Sequence, residues 1–273
     1  MLESESFTAF PPDGMGPDLW CRTSGARLRA KVWQDDAPGL PILFLNGVGC
    51  NLELVAGLAA EFPERRFISI ELPGSGLTQE TALPLAPMML ARMIVEAAQL
   101  LRAPRFDLIG LSLGGALAQQ IALQYRSRVA RLVLAGTCTG ATMMPHDWSE
   151  DGLFLNANPL AAVISDLIFD LNGPHLRHFM QPSTSAVASQ FASFTGWSSL
   201  PFLPLIQAPS LVLAGARDRI IPPSNAVQLS AFLARAEHHI LPDAAHLFPY
   251  AEPERTASHI ARFFEAVPAP TIN

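Results

Sequence analysis

The sequence predicts an α/β domain: a mostly parallel sheet flanked by helices, with a helical insertion late in the chain. Three observations predict it. The run 41–45 is continuously apolar, and 106–111, 129–136 and 210–214 are largely so, the pattern of strands buried on both faces. Segments of helical character at 84–101, 113–125, 224–233 and 252–267 alternate with strand-like runs. The chain has 273 residues, 49% hydrophobic and only 15% charged, which suits one large domain with a sizeable core.

Taken in order, residues 1–26 are rich in Pro, Gly and acid and predict an irregular or weakly paired start. Leu28 to Gln34 alternates as a strand, 35–39 turns, and 41–45 is the first fully buried strand. It runs into Asn46-Gly47-Val48-Gly49-Cys50-Asn51. Asn51 is placed as the N-cap of a helix from Leu52, with Glu53 in its first turn. Arg66 to Leu72 is the next strand, and Pro73-Gly74-Ser75-Gly76 turns the chain into the helix at 84–101.

Gly110-Leu111-Ser112-Leu113-Gly114 follows at the end of an apolar strand and opens a helix. That is the context a nucleophile elbow requires. A strand that reverses into a helix within about two residues leaves no room for side chains beside the turn, hence the glycines. The serine is pushed into a strained conformation that lifts its hydroxyl over the sheet edge, and the helix dipole points at the same spot. Ser112 is therefore the candidate nucleophile. The loop at 46–49 is the candidate oxyanion loop: Gly47 and Gly49 let the backbone approach a carbonyl, with the N–H groups of Val48 and Leu113 as donors. Asn46 and Gly47 are placed against the substrate.

A serine hydroxyl needs a base, and the base needs a carboxylate to hold its tautomer. In this architecture the chain order is Ser, acid, His. Of the seven histidines, His146, His175 and His178 lie in the insertion, His238 and His239 inside a strand, and His259 in the last helix. His246 alone lies in a loop just past a strand and downstream of a suitable acid. Asp218 directly follows the strand at 210–214 and is the candidate acid. Asp243, three residues before His246, reads as a turn residue.

The alternation breaks after Gly136. We assign 1–136 and 208–273 to a core domain and 137–207 to a helical cap or lid. Helical runs are expected at 153–155 and 160–171. Trp197 and several phenylalanines of this segment are expected to line an apolar pocket.

Composition excludes other classes. A net charge of −6 without a basic block argues against a nucleic-acid partner. Cys21, Cys50 and Cys138 show neither metal-ligand nor disulfide spacing and predict free thiols in a reducing compartment. The start carries Glu3 and Glu5 and has no apolar h-region, and the helix at 84–101 contains Arg92 and Glu96. The expectation is a cytoplasmic protein with no secretory signal and no transmembrane segment. The mechanism calls for no metal and no cofactor. Oligomeric state stays open, with a homodimer as one arrangement.

Four separated pieces resemble the α/β-hydrolase superfamily: 46–49, 110–115, 215–218 and 243–246. The resemblance implies the α/β-hydrolase fold with a helical cap inserted after the sixth strand. The segments 46–54, 114–120, 196–199, 211–215 and 246–248 are similar to the intracellular depolymerases of medium-chain-length polyhydroxyalkanoates. That likeness implies a serine esterase acting on 3-hydroxyacyl esters, polymer or small molecule, with Ser112, Asp218 and His246 as triad. Two departures stand out. Leu113 occupies a position where that family commonly has Trp, and the stretch from Pro145 to Pro182, which shapes the substrate site, matches poorly. A carbon–carbon bond hydrolase with the same triad, and a ligand receptor on the same fold, are compatible with these residues. A dehalogenase or epoxide hydrolase would want a carboxylate at position 112.

Overall fold

The largely apolar runs become the middle of a nine-stranded sheet. The structure is a computed structural model that describes residues 2–4, 17–144 and 178–269, with residues 2–4 as backbone. Its strands are β1 (Leu2–Ser4), β2 (Leu19–Arg22), β3 (Arg27–Trp33), β4 (Ile42–Leu45), β5 (Phe67–Ile70), β6 (Phe106–Leu111), β7 (Val129–Ala135), β8 (Ser210–Gly215) and β9 (Ala236–Leu241). Their spatial order is β1-β2-β3-β5-β4-β6-β7-β8-β9. The pairs β1–β2, β2–β3 and β3–β5 are antiparallel, and every later pair is parallel. Every residue of β4, β6, β7 and β8 is buried, as strands covered on both faces must be.

Successive residues of a strand point to opposite faces, so one run feeds two cores. Leu43 and Leu45 join Leu108, Leu132 and Leu134 on one face, beneath helices α2 (Pro87–Leu100) and α3 (Leu113–Gln124). Ile42 and Phe44 join Ile109, Leu111 and Val133 on the other, against α1 (Ala56–Ala60) and the C-terminal helix described below. Phe44, Phe67, Phe106 and Phe248 are fully buried. Each such side chain contributes roughly 1.5–3 kcal/mol of transfer free energy, so the sheet is held from both sides. On α2, Leu90, Met93, Ile94 and Ala97 are buried, while Arg92 and Glu96 form a surface i,i+4 ion pair at 2.8 Å. No helix among the described residues is long and apolar enough to cross a membrane.

Three expectations change. The N-terminal stretch pairs in register as β1 and β2, Leu2 opposite Cys21 and Leu19 opposite Ala30. Trp20 and Cys21 are buried there, with the Arg27 guanidinium 4.5 Å from the Trp20 ring centre. Strands of three and four residues are too short to show a period in sequence. The insertion follows β7, which is the sixth strand counted from β2. The helix expected from Leu52 begins as a 3₁₀ turn (Leu52–Val55) before α1, and the Asn51 side chain does not cap it. That side chain bonds Glu53 and residues 178 and 180 of the insertion instead.

Beyond β7 the described insertion holds α4 (Thr184–Ser193) and a 3₁₀ segment at Leu200–Leu205. The helical runs expected at 153–155 and 160–171, and His146 and His175, lie outside the described residues. Helix α5 (Ser224–Phe232) follows β8. The final helix divides in two, α6 (Phe248–Ala251) and α7 (Pro253–Ala266), where Pro253 takes the first position of the second.

Candidate active site

Ser112 sits between β6 and α3 with φ 55° and ψ −121°, a conformation that costs on the order of 1–3 kcal/mol. The backbone around it leaves no alternative. Its N–H donates to Ala135 C=O at 2.9 Å. Its own carbonyl accepts from Gly115 N–H at 2.9 Å, Ala116 N–H at 3.2 Å and the Thr137 hydroxyl at 2.7 Å. The glycines are needed for close approach: a β-carbon on Gly114 would stand 2.3 Å from the Leu45 carbonyl oxygen, and one on Gly110 2.4 Å from that of Gly114. Both obstacles are backbone, so no side chain can yield. Gly114→Ala is therefore expected to cost at least the upper end of the ~1–3 kcal/mol range of overpacking, read as a lowered thermal midpoint.

Asp218 leaves β8 in a tight loop. One carboxylate oxygen accepts from the N–H groups of Ile220 (2.9 Å) and Ile221 (2.8 Å). The other faces His246 Nδ1 at 2.8 Å. Both residues are buried. With Nδ1–H donated to the carboxylate, Nε2 is the acceptor nitrogen of the ring. Ser112 and His246 line the same cavity. Asp243 is exposed at φ 64° and pairs with Arg217, a turn residue as expected. His238 and His239 are exposed on β9, and the ring of His259, on α7, lies tilted against that of His239 at 5.3 Å.

The loop after β4 delivers Gly47 and Val48 to the cavity, beside Ser112 and Leu113. A β-carbon on Gly47 would lie 3.3 Å from Ser112 Cβ, so the two segments touch. The Leu113 N–H belongs to the first turn of α3, where amides have no intrahelical acceptor. The structure does not bring Asn46 to the cavity. Its buried side chain accepts from the Tyr250 hydroxyl at 2.8 Å and donates toward Asn51 C=O at 3.4 Å, tying the loop to the core. Burial pushes the Tyr250 hydroxyl well above its ordinary pKa, so it stays a donor.

The cavity has a volume of about 340 Å³. Trp197 lines it with Met143, Phe191, Phe194, Ile220 and Ile221. The Trp197 indole N–H donates to Gln120 at 2.9 Å, and its ring meets Phe194 edge-on at 5.4 Å. Cys50 and Cys138 also reach the cavity wall. Burial pushes the Cys50 thiol up to about 12 and raises that of Cys138, so neither offers much thiolate at neutral pH. Among the described residues no group of three or more His, Cys, Asp or Glu could hold a metal ion.

Sequence reasoning missed three supports. Gly136, at φ 49°, passes beneath the Asp218–His246 pair: a β-carbon there would stand 3.4 Å from both Asp218 Oδ2 and His246 Nδ1. Thr137 buttresses the elbow carbonyl. Gln190, on a helix not expected from sequence, bonds the candidate oxyanion loop at Gly49. Only the helix had a local signal: Ser183, directly after Pro182, accepts from Ala186 N–H as an N-cap.

This sheet order, with a strained serine at a strand–helix turn and a buried acid–histidine pair across one cavity, is that of a hydrolase-type α/β protein. Residues 42–259 match the alpha/beta hydrolase family, and the chain belongs to it. Among curated relatives, a poly(3-hydroxyalkanoate) depolymerase from Ectopseudomonas oleovorans is 33% identical over 241 residues, covering 82% of this chain and 84% of that one. A 2-hydroxymuconate semialdehyde hydrolase from Pseudomonas sp. (strain CF600) is 25% identical, covering 94% and 98%. Among solved structures, a hydrolase from Pseudomonas aeruginosa PA01 superposes with a TM-score of 0.75 at 24% identity, over 93% of this chain and 99% of that one.

Proposed function

We propose that the protein hydrolyses carboxylic esters with apolar acyl groups, 3-hydroxyalkanoate polyester or its oligomers foremost, through an acyl-enzyme on Ser112. His246 takes the serine proton as Ser112 attacks the ester carbonyl, and Asp218 holds the imidazole and stabilises its charge. The Val48 and Leu113 N–H groups receive the oxyanion. His246 then protonates the leaving alcohol, and water, activated by the same ring, releases the acid. The observation that carries this reading is the placement of Ser112 and His246 on one apolar cavity, with Asp218 on the far nitrogen of the ring.

The lining favours an apolar acyl chain over the substrates of the carbon–carbon hydrolase relatives. Some of those act on dioates, such as the 2-hydroxy-6-oxononadienedioate hydrolase of Klebsiella pneumoniae. A dioate wants a cationic partner, and the described lining residues include no Lys or Arg. The three cysteines, all free and two of them fully buried, support a reducing, cytoplasmic setting. The cap boundaries proposed from sequence, 137–207, supply Met143, Phe191, Phe194 and Trp197 to the cavity.

The test is hydrolysis of para-nitrophenyl esters from acetate to laurate. Rates are expected to peak between hexanoate and decanoate, which would justify a polyhydroxyalkanoate latex as the next substrate. Trp197→Ala should lower kcat/KM for octanoate about 10-fold while changing acetate little, because only the longer chain reaches that wall. No ester turnover, with cleavage of a vinylogous diketone, would favour the carbon–carbon hydrolase. Binding without turnover would favour a receptor.

A further inference from the structure

The loop that carries Val48 is held from behind by the insertion. Gln190 on α4 is buried, and its Oε1 accepts from Gly49 N–H at 2.9 Å. Its Nε2 donates to Pro73 C=O at 2.8 Å and to Ser75 Oγ at 3.0 Å, so every polar atom of the amide is used. Pro182 covers the same glycine: a β-carbon on Gly49 would stand 2.6 Å from Pro182 Cγ. Two residues on, Asn51 Oδ1 accepts from Met180 N–H at 3.0 Å and Asn51 Nδ2 donates to His178 C=O at 2.8 Å. Residues 178–190 thus grip both ends of the stretch from Gly49 to Asn51. Gln190 itself is not among the residues lining the cavity.

The contact falls on a mechanically soft point. Cys50 N–H closes a turn onto Gly47 C=O at 3.2 Å, and Gly49 takes φ 66°, as the third residue of a type II turn does. The central peptide of such a turn, here Val48–Gly49, can rotate between turn types because glycine accepts either sign of φ, and the neighbouring Gly47–Val48 peptide, which carries the Val48 N–H, takes up part of any such rotation. A buried side-chain oxygen that would lose its donor biases that rotation by about 10- to 100-fold. The peptide so fixed is the one that follows the Val48 N–H directly.

We infer that Gln190 is a positioning residue for the oxyanion loop, through which seating of the insertion on the core sets the aim of the Val48 N–H at the reacting carbonyl. The inference rests on the ester-hydrolase reading above. It predicts a defect in the transition state and not in substrate binding, since Gln190 touches the loop from outside the cavity.

The test is Gln190→Met, of similar length and without polar atoms, read against thermal midpoint. The expected result is a fall in kcat for the preferred para-nitrophenyl ester of about 10- to 100-fold with KM within about threefold. Affinity for an alkylboronic acid, whose tetrahedral adduct on Ser112 places an oxygen in the hole, should fall by the same factor. Affinity for the matching alkyl alcohol should not change. Gln190→Glu keeps the acceptor for Gly49, and its protonated carboxyl can still donate to Pro73, so it should recover most of the lost kcat. Where Gln190→Met gives no soluble protein, Gln190→Asn carries the same test, because one methylene less withdraws the oxygen from Gly49. Wild-type kcat and boronate affinity in these variants would overturn the inference, as would a loss that enters KM and alcohol affinity equally. A wild-type protein that neither turns over esters nor binds the boronate removes the parent reading, and this inference with it, before any variant is made.

Discussion

Replacing Ser112 by alanine is expected to lower turnover of medium-chain esters by about 10⁴- to 10⁶-fold, leaving the fold intact. The size of the effect follows from the role. Without the hydroxyl there is no acyl-enzyme, and water would have to attack directly, helped only by oxyanion donors and binding. The fold should survive because the conformation at position 112 is set by backbone bonds, not by the side chain: the N–H to Ala135, and the carbonyl to Gly115, Ala116 and Thr137. Alanine keeps all four. The measurement is a rate per molecule alongside a thermal melt. Retention of more than about a tenth of the activity would move the nucleophile elsewhere.

Asp218→Asn is expected to cost about 10³- to 10⁴-fold in kcat, again without loss of fold. The reason lies in how the carboxylate is held. Oδ1 accepts two amides, from Ile220 and Ile221, and Oδ2 accepts from His246 Nδ1. An asparagine must put its oxygen where the two amides point, which turns its NH₂ toward His246. Donor then faces donor, and the imidazole relieves the clash by moving its proton to Nε2. A ring protonated there cannot accept the proton of Ser112. The defect should appear in kcat, with KM changed little. A mutant that keeps wild-type kcat would remove Asp218 from the mechanism.

How much of this was legible in the sequence follows from which contacts are local. The four central strands show themselves as predominantly apolar runs, because a strand buried on both faces has no solvent side; the charges within them, Asp107 and Arg131, pair with each other. Ser112, Asp218 and His246 could be picked out because each follows a strand end closely, and strand ends were visible. The pieces that could not be read depend on partners far along the chain. The local sequence places Asn46 at the substrate, yet its side chain is claimed by Tyr250, 204 residues later. Gln190 bonds Gly49 across 141 residues, and nothing in the local pattern of α4 marks it out. The immediate neighbours of Asn51 suggest a helix cap, while its side chain bonds Glu53 and, from the insertion, residues 178 and 180. The N-terminal strands were hidden for a different reason: three and four residues carry too little pattern, and they exist because a neighbouring edge offers hydrogen bonds.

The measurement that tests the central claim most directly is intact mass after brief exposure to a medium-chain alkyl fluorophosphonate, followed by peptide mapping. The account predicts a single adduct on the peptide carrying Ser112, formed quickly by the wild type, slowly by Asp218→Asn and not at all by Ser112→Ala. An adduct on another residue, or an unmodified wild-type protein, would contradict it.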